Sequence, residues 1–310
     1  MERRIPDRRA VNALALVVAL SGLFASCAKP GPRVELPMVA VPGGAFEYDG
    51  DSADIASVSP FKIGRYLVTG DQYKAVMGAD PSGFTEPGHP VDGVSWFDAI
   101  AFCDKLSRAQ GLKPAYSVLV KGREVDDPDD WVITTDIVAA NMVRDDPKAD
   151  GYRLPTEMEY MWAAMGASAD SVAGDTVGGV DVGGFIKGYA GSDELSGGRD
   201  RMGEYAWTKE DSGETTHAVG RLKPNELGLY DMSGNVLEWC WDWYDSYPGG
   251  ALADYRGASG PSPTFGAACC LRGGCCVFEA SNCTVARRNF DVPYHPSSPS
   301  EPYGFRVTLR

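Results

Sequence analysis

The apolar run that starts at Met38 and extends to Phe46 is broken by Pro42-Gly43-Gly44, which predicts a strand and then a turn. Phe61 to Val68 predicts a second short strand. Trp96, Ala99, Ile100, Cys103 and Leu106 recur at helical spacing, so one helix face should be buried, with Cys103 as an inert core thiol. Met158, Trp162 and Met165 predict another inward face. The starts of three helices are marked by side chains able to cap free backbone N–H groups: Thr69 with Gln72, Ser95 with Asp98, and Thr156 with Glu159. The first of these helices should run to Met77.

Few other helices are legible. With 37 glycines and 21 prolines the chain is heavily punctuated, and Asp170 to Gly203 reads as a Gly/Asp-rich loop. There is no periodic repeat and no internal linker long enough to divide domains. The pattern predicts a loop-rich α+β domain rather than a sandwich or a doubly wound sheet.

The N-terminus adds an address. Arg3, Arg4, Arg8 and Arg9 precede an apolar run, Val11 to Phe24, that is short for a bilayer span, and Phe24-Ala25-Ser26-Cys27 resembles a lipoprotein processing site. Residues 1–27 are expected to form a signal peptide with Cys27 lipidated, residues 28–37 a tether, and residues 38–310 the folded domain. This implies an exported protein, anchored in the membrane through its N-terminal lipid. The formal charge of -14 argues against nucleic-acid partners and against electrostatic docking to anionic lipid.

Of eight cysteines, Cys27 is assigned to the lipid. The odd remainder leaves at least one thiol free or paired outside the chain. Five crowd between Cys269 and Cys283, without the spacing of a structural zinc site.

Four motifs then occur in order: Gly151-Tyr152-Arg153-Leu154-Pro155-Thr156-Glu157; Val219-Gly220 with Pro224-Asn225; Gly228-Leu229-Tyr230-Asp231-Met232-Ser233-Gly234-Asn235-Val236-Leu237-Glu238-Trp239; and Leu271-Arg272-Gly273-Gly274 with Gly304-Phe305-Arg306-Val307. Together they resemble the formylglycine-generating-enzyme (sulfatase-modifying factor) family over residues 38–310. The resemblance implies a variant of the C-type lectin fold, with a small twisted antiparallel sheet, flanking helices and much irregular loop. It also implies that Arg153, Glu157 and Arg306 serve in buried ion pairs.

Calcium is the one cofactor expected. Asp231 and Glu238 offer carboxylates around a Gly/Asn turn, and oxygen-only ligands suit Ca²⁺. By resemblance, Gly234 and Val236 would add main-chain oxygens. No copper is expected. The family's enzymes hold Cu(I) with a C-x4-C pair, and here those positions fall on Phe278 and Cys283, so one thiolate stands alone. His89, His217 and His295 are scattered and do not form the three-His iron site of the family's sulfur–carbon bond-forming members.

The segment 272–307 keeps the family's frame: Arg272-Gly273-Gly274, Ala280-Ser281-Asn282-Cys283, Arg288, Pro293 and Gly304-Phe305-Arg306. Between these points cysteine, apolar, aromatic, acidic and hydroxyl residues mix without a helix or strand period. The mixture resembles the variable proteins of diversity-generating retroelements, which use this fold and randomise chosen positions in a C-terminal segment. The resemblance implies a non-catalytic lipoprotein on the outer cell surface whose contact residues are Cys275, Cys276, Val277, Phe278, Glu279, Arg287, Phe290, Asp291, Val292, Tyr294, His295, Ser297 and Ser298. The expected partner is a protein or surface glycan. An exported formylglycine-generating oxidase and a structural lipoprotein without a variable site are the alternatives.

Overall fold

The computed structural model describes residues 34–131, 133, 143–169, 176–192, 199–294 and 302–310. Four strands come first: β1 (Met38–Val41), β2 (Gly44–Glu47), β3 (Ile55–Val58) and β4 (Phe61–Gly64). Helices α1 (Gly70–Met77) and α2 (Trp96–Ala109) follow. Next are β5 (Tyr116–Val120), β6 (Arg123–Val125), β7 (Val143–Asp145) and helix α3 (Glu157–Ala164). After β8 (Thr176–Val177) and β9 (Val180–Asp181), the chain ends in β10 (Leu237–Trp243), β11 (Leu252–Ala253), β12 (Cys269–Arg272), β13 (Asn289–Asp291), β14 (Tyr303–Gly304) and β15 (Thr308–Leu309).

All three helices begin on the side chains expected of them. Thr69, Ser95 and Thr156 each accept from the backbone N–H three residues on, and the Gln72, Asp98 and Glu159 side chains reach back in a complete capping box. Each cap is worth about 1 kcal/mol. These contacts span three residues, so local sequence suffices to specify them. In α2, Trp96, Ile100, Cys103 and Leu106 are buried, as the spacing predicts. Two strands lie where only loop is expected, β8 and β9 within Asp170 to Gly203. Each is two residues long, below what periodicity can register.

The protein has the α+β fold of the C-type lectin type. Where the resemblance implies one small sheet, the described strands divide over four, ordered β1-β4-β15, β13-β12-β10-β14, β11-β3-β2-β9-β8 and β6-β5-β7. Pairing is mostly antiparallel, but β10–β14, β11–β3 and β2–β9 are parallel. The division follows from the punctuation, because most strands run two to five residues between turns.

The longest described strand, β10, is an inner strand of its sheet and contributes to both main clusters of buried side chains. Trp239 on it is fully buried and its indole donates to the Val94 carbonyl at 3.0 Å, while Trp96 at the start of α2 donates to the Cys240 carbonyl at 2.9 Å. A fully buried large apolar side chain contributes about 1.5–3 kcal/mol, so this belt fixes β10 firmly. The candidate site is built on that strand and its neighbours.

Candidate ligand-binding site

Strand β12 runs antiparallel to β10, with Glu238 opposite Arg272. Gly273 and Gly274 follow at φ 88° and 72°, a left-handed conformation open to glycine, and turn the chain inward. A Cβ on Gly274 would lie 2.4 Å from Cys283 Sγ, so the tail folds tightly back on itself. It returns as β13 along one edge of the sheet, pairing Cys270 with Phe290, and later supplies β14 at the other edge, beside β10. Sequence reasoning expects no strand in this segment, yet its residues form both edges. Edge pairing is made by backbone groups, so apart from proline it tolerates many side chains.

A buried charge network locks the frame. Glu157, at the start of α3, is 1% exposed and meets Arg272 at 2.9 Å. Arg288 reaches the same carboxylate with two hydrogen bonds of 2.7 and 2.8 Å. Burial alone would raise the pKa of Glu157, but Arg272 and Arg288 outweigh it and hold the carboxyl below its ordinary value. Arg272 also donates to the Val285 and Arg287 carbonyls, tying the returning tail to β12. Arg306 pairs with Glu238 at 2.7 Å. Arg153, expected in a buried pair, has one with Glu159.

Between these fixed points the predicted contact residues separate into two groups. Glu279 and Arg287 are exposed, Phe290 is 45% and Tyr294 39% exposed, and Asp291 and Val292 are half-buried. Val277 and Phe278 are half-buried and pack against the core. Cys275 and Cys276 are not contact residues: both are fully buried. The glycine turn drives them inward, and Cys276 is pinned through its carbonyl, which accepts from the Ser212 hydroxyl at 2.6 Å, and its N–H, which donates to the Asn235 carbonyl. His295, Ser297 and Ser298 lie outside the described residues, as does Cys27.

The surface includes residues that sequence reasoning missed. Phe290 packs on Tyr244 at 4.3 Å and Phe265 at 5.6 Å, and those two rings meet edge-on at 5.0 Å. Arg288 lies over Tyr244 and Tyr247, with centroid distances of 4.5 and 3.8 Å. One arginine thus ties the buried acid to an aromatic cluster at the surface. Phe265 is 37% exposed and sits in a Gly/Pro/Ser-rich loop. No periodicity marks it, so no sequence signal was available.

The positions assigned to the family's cysteine pair are occupied by Phe278 and Cys283, which pack in one small cluster. Burial pushes the Cys283 thiol up to about 12, and Cys276 to about 12 likewise, so neither thiolate forms readily at neutral pH.

At the candidate calcium site, Asp231 is 4% exposed and accepts from the Gly220 N–H and the Asn235 side chain. Glu238 is fully buried and accepts from Arg306 and from the Tyr160 hydroxyl. Burial raises the pKa of both acids. Arg306 pairs with the Glu238 carboxylate and donates to the Asp231 main-chain oxygen, so one guanidinium stands beside two buried carboxylates. Were Ca²⁺ bound here, Asp231 and Glu238 would offer carboxylate oxygens and Gly234 and Val236 main-chain oxygens, the hard donors that ion takes.

Comparison with known proteins agrees with this architecture. Residues 25–310 match the sulfatase-modifying factor enzyme 1-like domain. The chain is 37% identical over 253 residues to chaperone protein LppX of Paenibacillus barcinonensis, covering 75% of this chain and 80% of that protein. It is 29% identical over 270 residues to the formylglycine-generating enzyme of Streptomyces coelicolor, covering 83% and 63%. Among solved structures, variable protein 1 of Treponema denticola superposes with a TM-score of 0.73 at 32% identity, over 90% of this chain and 97% of that one. The chain belongs to the family of the sulfatase-modifying factor enzyme 1-like domain.

Proposed function

We propose that this protein is a non-catalytic, lipid-anchored binding protein of the outer cell surface whose segment 272–307 presents a diversified contact surface to a protein or surface glycan. One observation carries the reading. The frame residues Arg272, Cys283, Val285, Phe305 and Arg306 are buried and held, while Glu279, Arg287, Phe290 and Tyr294 between them face solvent. A scaffold that fixes the backbone at both sheet edges tolerates changed side chains there. Exposed rings beside charged groups are the residue types that dominate recognition surfaces. The likeness to a variable protein supports the same reading.

The decisive test is genomic. A near-copy of the DNA encoding Cys275 to Val307, differing at adenines and close to a reverse transcriptase gene, is the expected finding. Its absence removes diversification from the proposal. Incubation with copper and a cysteine-containing sulfatase-motif peptide should give no aldehyde; turnover would reinstate the oxidase.

The identity with a chaperone protein favours a second reading, in which the same surface holds an exported client during assembly. A surface identical in every isolate, together with recovery of one defined client, would select it. We also propose structural calcium on Asp231, Gly234, Val236 and Glu238.

A further inference from the structure

A cavity of about 400 Å³ opens beside the start of α3, away from the tail. None of its lining residues falls in 272–307. Its volume suits a small solute. Three arginines line it: Arg153, Arg256 and Arg310.

The hydrogen bonds these arginines make, and those they lack, define the cavity. Arg153 is 5% exposed and gives its two terminal nitrogens to Glu159, at 2.6 Å each. Its Nε–H is buried and finds no acceptor among the described residues. Arg256 pairs with Asp145 and lies over the Trp241 ring, 6.0 Å from its centroid. Its Nε–H is likewise buried and without an acceptor among the described residues. Leaving a buried charged donor unsatisfied costs about 1–3 kcal/mol or more, so two beside one cavity call for an acceptor.

The lining acids do not supply it. Glu159 is held by Arg153 and by the Thr156 N–H. Asp254 accepts from the N–H and the hydroxyl of Ser59, both at 2.7 Å. Arg310 makes no ion pair among the described residues. Burial and the charges of Arg153 and Arg256 lower its pKa, as expected for a cation facing two others. The cavity therefore holds one arginine without an ion-pair partner among the described residues, Arg310, and two idle donors.

We propose that this cavity binds a small oxyanion, the carboxylate or phosphate group of a solute, with Arg153 Nε and Arg256 Nε as donors and Arg310 as the balancing charge. Guanidinium groups suit this because their donors match the geometry of both anions.

Isothermal titration of the full chain with inorganic phosphate, and separately with citrate, tests the proposal, with ionic strength held constant by sodium chloride. Saturable one-to-one binding is expected, weakened at least tenfold in Arg310→Gln and in Arg256→Gln. Arg310 is exposed, so Arg310→Gln should keep the wild-type melting temperature and separate lost binding from lost folding. Saturation by phosphate alone identifies a phosphate-bearing solute, by citrate alone a carboxylate, and by both the shared oxyanion chemistry. No saturable heat with either anion overturns the proposal, as does binding undiminished in both variants.

Discussion

Glu157 and Arg288, 131 positions apart in sequence, meet through two near-parallel hydrogen bonds of 2.7 and 2.8 Å, and Arg272 adds a second cation to the same carboxylate. The pair joins the first turn of α3 to the returning tail. Glu157→Gln keeps the shape and removes the charge, leaving two buried guanidinium groups short of an anion. It should cost about 3–5 kcal/mol. Chemical denaturation would read this as a lower midpoint at unchanged slope; a loss under about 1 kcal/mol would mean the network contributes little.

The tail should tolerate change unevenly. Ser or Asn at Glu279, Arg287 or Tyr294 should alter stability by about 0.5–1 kcal/mol or less, because those side chains are exposed. Tyr at Cys275 or Cys276 should cost at least about 1–3 kcal/mol, because both sites are closed. Thermal melts of the two sets measure the contrast. Equal tolerance at both would show that the division of the segment is wrong.

Two buried acids should make stability fall toward alkaline pH. Burial pushes Asp242 up to about 8, with Glu157 adding to it, and burial pushes Asp104 up to about 8 as well. The unfolded chain releases these protons near the ordinary value of about 3.9. Their contribution is therefore full below that value and is lost as pH rises through about 8. Asp242→Asn stays neutral and can still accept from the Glu157 N–H, as Asp242 does at 2.8 Å. Between pH 5 and 9 its melting temperature should fall less than the wild type's; parallel curves would show that Asp242 does not carry the effect.

Chelation should lower the melting temperature, and added calcium should restore it where magnesium does not. Asp231→Asn should abolish the response. If Arg306 alone balances Asp231 and Glu238, the chelator will leave the wild-type melt unchanged, and the calcium proposal fails.

The three helix starts, the buried face of α2 and the motif frame were legible because each rests on residues within a turn of one another, or on a motif read as a unit. The ion pairs were legible as a class and not as partners. Arg153 chose Glu159, and Glu157 took Arg272 and Arg288, because partner choice depends on how α3 crosses the sheet.

By itself the sequence determined the α+β character, the capping boxes and a tail irregular between fixed points, since propensity, capping and glycine turns act over a few residues. Only the tertiary structure decided which tail residues reach solvent. Cys275 and Phe290 are equally aperiodic in sequence, yet one is closed in by a glycine turn and the other lies on an edge strand against Tyr244 and Phe265. Burial here is set by contacts between segments far apart along the chain, and no local pattern encodes them.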